Sequence, residues 1–316
     1  MEEKILFTNG DSWTFGSEIM APEFLVGQSE IGFGMANRYK KGYHDWQKCN
    51  DYYRIPRIWP TFLAKSLGYK NVNIAWPARS NDTIYNTTVD WLLENYVIPK
   101  RSTENLLVII GWSSPERKNI LIKDFDTVYL QTFWPAMLDT NFYPSKMVVD
   151  YFKFYVKNLW LEQEYISRYV EQNHMLHSFC KSHGIQYYCF NAFYLTPGKQ
   201  PDKWTELDVL EILDNWKSAK IQGWFDPSFK WSNEIRRLEN LWKSIDDKTF
   251  VLKNNAPGSF KSYIYSVMDK SDAMINWHPS PSGHKAWADF LHTYIKDRQE
   301  TVTQKPILTK RFSSMI

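Results

Sequence analysis

Four short runs constrain this 316-residue chain more than anything else in it: KILFTN at 4–9, VNIAW at 72–76, LLVIIGW at 106–112 and IQYYCFNAF at 185–193. Each is apolar and rich in β-branched or aromatic residues, and each runs into a polar or glycine-containing loop. Such runs suit strands buried on both faces. Helical candidates lie between them. IWPTFLAKSLG ends on Gly68, SNDTIYNTTVDWLLENYV starts with the cap-like Ser80 and Asn81, and an amphipathic stretch runs from about Lys157 to His183 before Gly184. Alternating strands and helices predict an α/β fold, a three-layer α/β/α sandwich around a mostly parallel sheet. Ligands of such a sheet bind beyond the carboxyl ends of its strands, which places the loops at 10–16, 77–82, 111–117 and 194–199 on one rim.

Two regions fit the alternation poorly. Residues 120–156 and 197–262 are aromatic, broken by prolines, and read as insertions capping the rim; the second holds WTELDVLEILDNW, a helix with Thr205 as its expected cap. The expectation is one α/β domain over 1–295 carrying both insertions, followed by a polar tail at 296–316. Aromatics make up 17% of the chain, with 15 Trp and 19 Tyr, enough to fill a core and also to line a carbohydrate-facing surface.

Charge excludes one class of partner. The 38 basic and 35 acidic residues are interspersed, without the basic stripe that phosphate backbones need, so nucleic acid is not an expected partner. Cys49, Cys180 and Cys189 are an odd number without CxxC spacing, which points to a reducing compartment rather than a disulfide framework. The first ten residues hold only a short apolar run, too short for a signal-peptide core, and no stretch approaches a membrane span. These features imply a soluble, cytoplasmic protein, and an oligomeric assembly or virion component would share them.

Two local patterns carry chemistry. FTNGDSWTFG, 7–16, is a strand entering a tight polar turn at Ser12. NWHPSPSGHKAWADFLHTYI, 276–295, holds His278 on a proline-flanked loop before a helix defined by His284, Trp287, Ala288, Leu291 and His292. A histidine held on a rigid loop suits a general base, whereas His284 at the helix start is expected to be structural, its ring bonded into the loop. A serine after the first strand and a histidine before the last helix would share the carboxyl rim, where a Ser–His hydrogen bond can form.

At both ends and through its first third, the chain resembles the SGNH or GDSL hydrolases, α/β/α esterases and lipases with a flavodoxin-like sheet. NGDSWTFG resembles their nucleophile block and NWHPSPSGH their histidine block, which implies Ser12 as nucleophile and His278 as base. NIAWPARSNDTI resembles the second block, with Ala78 where glycine is usual, and IIGWSSPER the third, with Ser113 in the place of its asparagine. Together the blocks are similar to divergent SGNH-like proteins carried by large phages and marine bacteria. The resemblance implies hydrolysis of a small-molecule or glycan ester, such as O-deacetylation of a carbohydrate, with the oxyanion held by the Ser12 and Ala78 backbone N–H groups and by Ser113. Asn81 is a further donor or part of a helix cap. Arg117 steers substrate, or pairs with Glu116 or a rim acid. Asn276 stands where the family carries the acid that orients the base, and Asp272 is the alternative. The departures leave a second reading, a weak or inactive SGNH-like glycan-binding or virion protein.

No cofactor is expected. His174, His177, Cys180 and His183 are spaced by threes, which on a helix drifts off one face and does not build a zinc site, and the motifs of dinucleotide sites and P-loops are missing.

Overall fold

A computed structural model describes residues 3–22, 43–124, 127–133, 135, 146–193, 196–197, 204–205, 208–219, 221, 228–253, 258–275 and 277–303. In chain order the elements are β1 (Ile5–Asn9), α1 (Ser12–Phe15), α2 (Tyr43–Arg54), α3 (Trp59–Leu67), β2 (Lys70–Asn73), α4 (Asn81–Leu92) and β3 (Leu106–Trp112). A hairpin of β4 (Lys118–Asp124) and β5 (Thr127–Phe133) follows, then α5 (Lys146–Asn158), α6 (Glu162–Ser182) and β6 (Gln186–Asn191). The remainder comprises β7 (Thr196–Pro197), β8 (Trp204–Thr205), α7 (Val209–Asn215), α8 (Trp231–Ser244), α9 (Phe260–Val267), α10 (Lys270–Ala273), β9 (Met274–Ile275), β10 (His278–Pro279) and α11 (Pro281–Thr303).

The central sheet has the order β2-β1-β3-β6 and every pairing in it is parallel. Residues 249–251 extend it beside β6: Cys189 N–H donates to Thr249 O and Val251 N–H to Cys189 O, at 2.9 and 2.8 Å. Period two along the strands explains their unbroken apolar character. Phe7, Val108, Ile110, Tyr187 and Cys189 enter one core with residues of α4, α6 and α8. Their neighbours Leu6, Leu107, Ile109, Tyr188 and Phe190 enter a second core with α3, α9 and α11. The chain is therefore an α/β/α sandwich of flavodoxin-like strand order. Strand order reverses between β1 and β3, so the ligand crevice of this topology lies beyond the carboxyl ends of those two strands.

Several local expectations meet the structure closely. Gly68 ends α3 with a left-handed backbone, and Ser80 caps α4 by accepting from Thr83 N–H. Others shift. The second strand pairs from Lys70, and its extension to Trp76 continues only as single bonds, Ile74 N–H to Thr8 O and Trp76 N–H to Gly10 O. The helix expected from about Lys157 is two helices, because Leu161 is extended (φ −125°) and α6 starts afresh behind it with Glu162 and Glu164 in its first turn. Asp208, not Thr205, caps α7, its Oδ1 accepting from Leu210 and Glu211 N–H; Thr205 belongs to β8.

Of the stretches read as insertions, 120–156 supplies most of the β4–β5 hairpin, whose Ile122 and Phe133 pack on Val148, Phe152 and Tyr155 of α5. The stretch 197–262 supplies α7 and α8, which join the first core, and the residues that extend the sheet. Among the described residues no helix is long and apolar enough to cross a membrane.

Candidate active site

The turn after β1 is built around Asp11. As the N-cap of α1 its backbone is extended, its Oδ1 accepts from Trp13 N–H at 3.0 Å, and its carbonyl accepts from Thr14 and Phe15 N–H. Gly10 is required by close approach: a Cβ there would lie 2.9 Å from the carbonyl oxygen of Gly111 and closer still to the Thr14 side chain. Gly16 closes the turn in the left-handed region, its N–H donating to Ser12 O. Ser12 thus sits at the first position of α1, beyond the carboxyl end of β1, and is buried.

Beneath Ser12 lies an ion pair. Arg117 Nη1 donates to Asp11 Oδ2 at 3.1 Å, with the side chains 5% and 0% exposed, and Ser113 Oγ donates to the same oxygen at 2.8 Å. Burial pushes the Asp11 carboxyl above its ordinary range, while Arg117, Trp13 N–H and Ser113 pull it down. Of the roles open to Arg117, the structure gives pairing with a rim acid, and its guanidinium also lies 5.2 Å from the Phe193 ring centroid. Asp11 was legible only as a turn residue. The signal for more was its place as an acid just ahead of a short helix.

Ser113 and Asn81 bind each other. Asn81 Nδ2 donates to Ser113 O at 3.0 Å and Ser113 N–H donates to Asn81 Oδ1 at 2.8 Å, a two-way clamp joining the start of α4 to the end of β3. A hydroxyl carries one hydrogen, and that of Ser113 goes to Asp11. In this arrangement the Ser113 hydroxyl hydrogen is spent on Asp11, and one of the two Nδ2 hydrogens of Asn81 is spent on Ser113 O. Ala78 has a left-handed backbone of the kind glycine adopts freely. It follows Pro77 in the turn closed by Arg79 N–H to Trp76 O, and its φ is +64°.

His278 arrives from the other end of the chain on the β9–β10 hairpin, paired with Ile275. Ser280 fixes this hairpin: its N–H donates to Ala273 O at 2.8 Å, and its Oγ donates to the Asp272 carbonyl and accepts from Gly283 N–H, capping α11. Gly283 is again a close approach, since a Cβ would lie 2.5 Å from Ala273 O. α1 runs beside β10, with Cα atoms within 8 Å, so the chain segments bearing Ser12 and His278 are neighbours. The Asp272 side chain is exposed on α10, and Asn276 lies outside the described residues.

His284 has a different partner from the loop expected for it. Its Nδ1 accepts from Trp59 N–H at 3.2 Å, capping α3 across 225 residues of sequence. The ring is buried, and desolvation, with His278 and Arg54 adding to it, holds its pKa down at about 3. Among the histidines of α6, His177 Nδ1 is 2.7 Å from Tyr187 OH and His174 Nδ1 is 2.8 Å from Ser244 Oγ. Among the described residues no three His, Cys, Asp or Glu side chains gather as metal ligands. A cleft lined by His177, Lys181, Tyr187 and Arg298 opens at the amino end of β6, the rim opposite Ser12.

A family model described as "Family of unknown function (DUF6071)" matches residues 44–210. No curated protein matches the sequence. Solved structures similar to this chain include a protein assigned to the G-D-S-L lipolytic family from Desulfitobacterium hafniense DCB-2, at 12% identity and TM-score 0.38, covering 92% of this chain and 99% of that one. TesA is similar at 9% identity and TM-score 0.40, covering 93% and 98%. The psychrotrophic esterase EstA from Pseudoalteromonas sp. is similar at 10% identity and TM-score 0.38, covering 94% and 100%. With TM-scores this low, the fold stands on the chain's own strand order.

Proposed function

The chain belongs to DUF6071, a family of unknown function, and from its own site we propose that it is a serine esterase of the SGNH type, with Ser12 and His278 as a catalytic dyad. The observation that carries this reading is the meeting of α1 with β10 at the carboxyl end of the sheet, where this topology holds its ligands. His278 takes the proton of Ser12 Oγ as the oxygen attacks an ester carbonyl. The backbone N–H groups of Ser12 and Ala78 hold the oxyanion; those of Trp13, Thr14 and Phe15 are taken up by Asp11, the cap of α1. His278 then gives the proton to the departing alcohol, and a water molecule, activated by the same ring, releases the acid and restores Ser12. Asp11 and Arg117 act as positioning residues, fixing the turn that presents Ser12.

The substrate we propose is a small acyl ester of a carbohydrate. We further propose one α/β domain over 1–295. The engagement of Ser113 and Asn81 favours a second reading, a non-catalytic glycan-binding or assembly protein on the same fold. Hydrolysis of p-nitrophenyl acetate and acetylated sugars by the wild type, Ser12→Ala and His278→Ala separates the two. The esterase reading expects losses of about 100-fold or more in both variants; equal background rates in all three proteins refute it.

A further inference from the structure

Among the described residues Trp277 is the one exposed tryptophan. Trp13, Trp59, Trp112, Trp216, Trp242 and Trp287 are all 5% exposed or less, whereas Trp277 is 83% exposed. Its backbone is left-handed as well, with φ +69°, in the β9–β10 turn between Ile275 and His278. Glycine or asparagine adopts that conformation freely, and a bulky side chain does so only under strain. Placing the largest apolar side chain in water, on a backbone that disfavours it, gains nothing for the fold. Ile275 in the same hairpin is 38% exposed, and Lys270, Ser271 and Asp272 of the preceding α10 are exposed and polar, so the indole offers a flat apolar platform on a surface of mixed polarity.

We propose that Trp277 is the specificity residue for the alcohol half of the ester, stacking on the ring of a sugar. The inference rests on the esterase reading. In that chemistry His278 hands its proton to the departing alcohol, so the alcohol leaves beside His278, and Trp277 is the next residue in the chain. The acyl group lies on the other side, towards the oxyanion donors. A pyranose offers the indole a face of C–H groups and carries its hydroxyls around the edge of the ring.

The test compares the full chain with Trp277→Gly, which suits the left-handed backbone and is expected to keep or raise Tm, and with Trp277→Phe, which retains a flat ring. The kinetic readout is the ratio of kcat/KM for an acetylated methyl glucoside to that for glycerol triacetate, whose alcohol is open-chained. We expect the ratio to fall about tenfold or more in Trp277→Gly and to be partly restored in Trp277→Phe. A second readout needs no turnover: in Ser12→Ala, titration with methyl glucoside and cello-oligosaccharides is expected to change tryptophan fluorescence, and the change is expected to vanish in Ser12→Ala with Trp277→Gly. An unchanged ratio with Ser12-dependent hydrolysis overturns the role of Trp277 and leaves the esterase reading standing. Trp277-dependent sugar binding without Ser12-dependent hydrolysis overturns the esterase reading and keeps the sugar platform. Absence of sugar binding, or self-association that Trp277→Gly abolishes, overturns the proposal.

Discussion

Removing Arg117 isolates the buried charge beneath Ser12. In Arg117→Met the Asp11 carboxylate keeps Trp13 N–H at 3.0 Å and Ser113 Oγ at 2.8 Å but loses the guanidinium at 3.1 Å. Breaking such a pair by deleting one partner costs roughly 3–5 kcal/mol, because the remaining ion stays buried without compensation. The Coulomb attraction at that separation, about 5 kcal/mol at an effective dielectric of about 20, is of the same size. Against a typical total of about 5–15 kcal/mol the loss is large. Asp11→Asn in the same protein removes the charge itself, and Asn retains an oxygen for Trp13 N–H, so the double variant is expected to recover a substantial part of the loss. Urea unfolding followed by fluorescence gives the four stabilities of the cycle. A coupling within about 0.5 kcal/mol of zero refutes the argument that the two groups act as a pair.

The pH dependence of the same variant adds a sign. Burial already holds the Asp11 carboxyl above its usual range, and loss of Arg117 raises it further. The unfolded chain releases this proton near pH ~4, whereas the folded variant keeps it to higher pH. The folded state then binds more protons within that window, and its stability falls as pH rises through it. The deficit of Arg117→Met relative to the wild type is therefore expected to be smaller at pH 5 than at pH 8.

Two further outcomes follow from single residues. His284, with its pKa held down at about 3, must stay neutral when folded while the unfolded chain binds a proton near pH ~6.5, so stability falls with acidification; between pH 8 and pH 5 its contribution is about 2 kcal/mol. His284→Asn, which keeps an acceptor for Trp59 N–H, should flatten the pH profile by that amount, and an unaltered profile would refute the assignment. Ala78→Gly should relieve the left-handed backbone at φ +64° by about 1–2 kcal/mol, less about 0.4–1 kcal/mol of added unfolded-state entropy. Thermal unfolding should show a small gain, and destabilisation by more than about 1 kcal/mol would contradict this account.

What could be read directly from the chain is what depends on neighbours in sequence. Unbroken apolar runs such as LLVIIGW declare strands covered on both faces, because adjacent residues must enter opposite cores. Gly68 and Ser80 mark helix ends through their own backbone and side-chain chemistry, and the turns bearing Ser12 and His278 were recognisable for the same reason. Tertiary structure alone decided the partners. Asp11 and Arg117 are 106 residues apart, Asn81 and Ser113 are 32 apart, and His284 reaches Trp59 across 225. Nothing local distinguishes a serine hydroxyl aimed at a substrate from one spent on a buried carboxylate, since that depends on which groups burial forces to satisfy one another. The same holds for tryptophan: composition counts 15 of them, but only the packed chain separates those that fill its cores from Trp277, left in water beside His278.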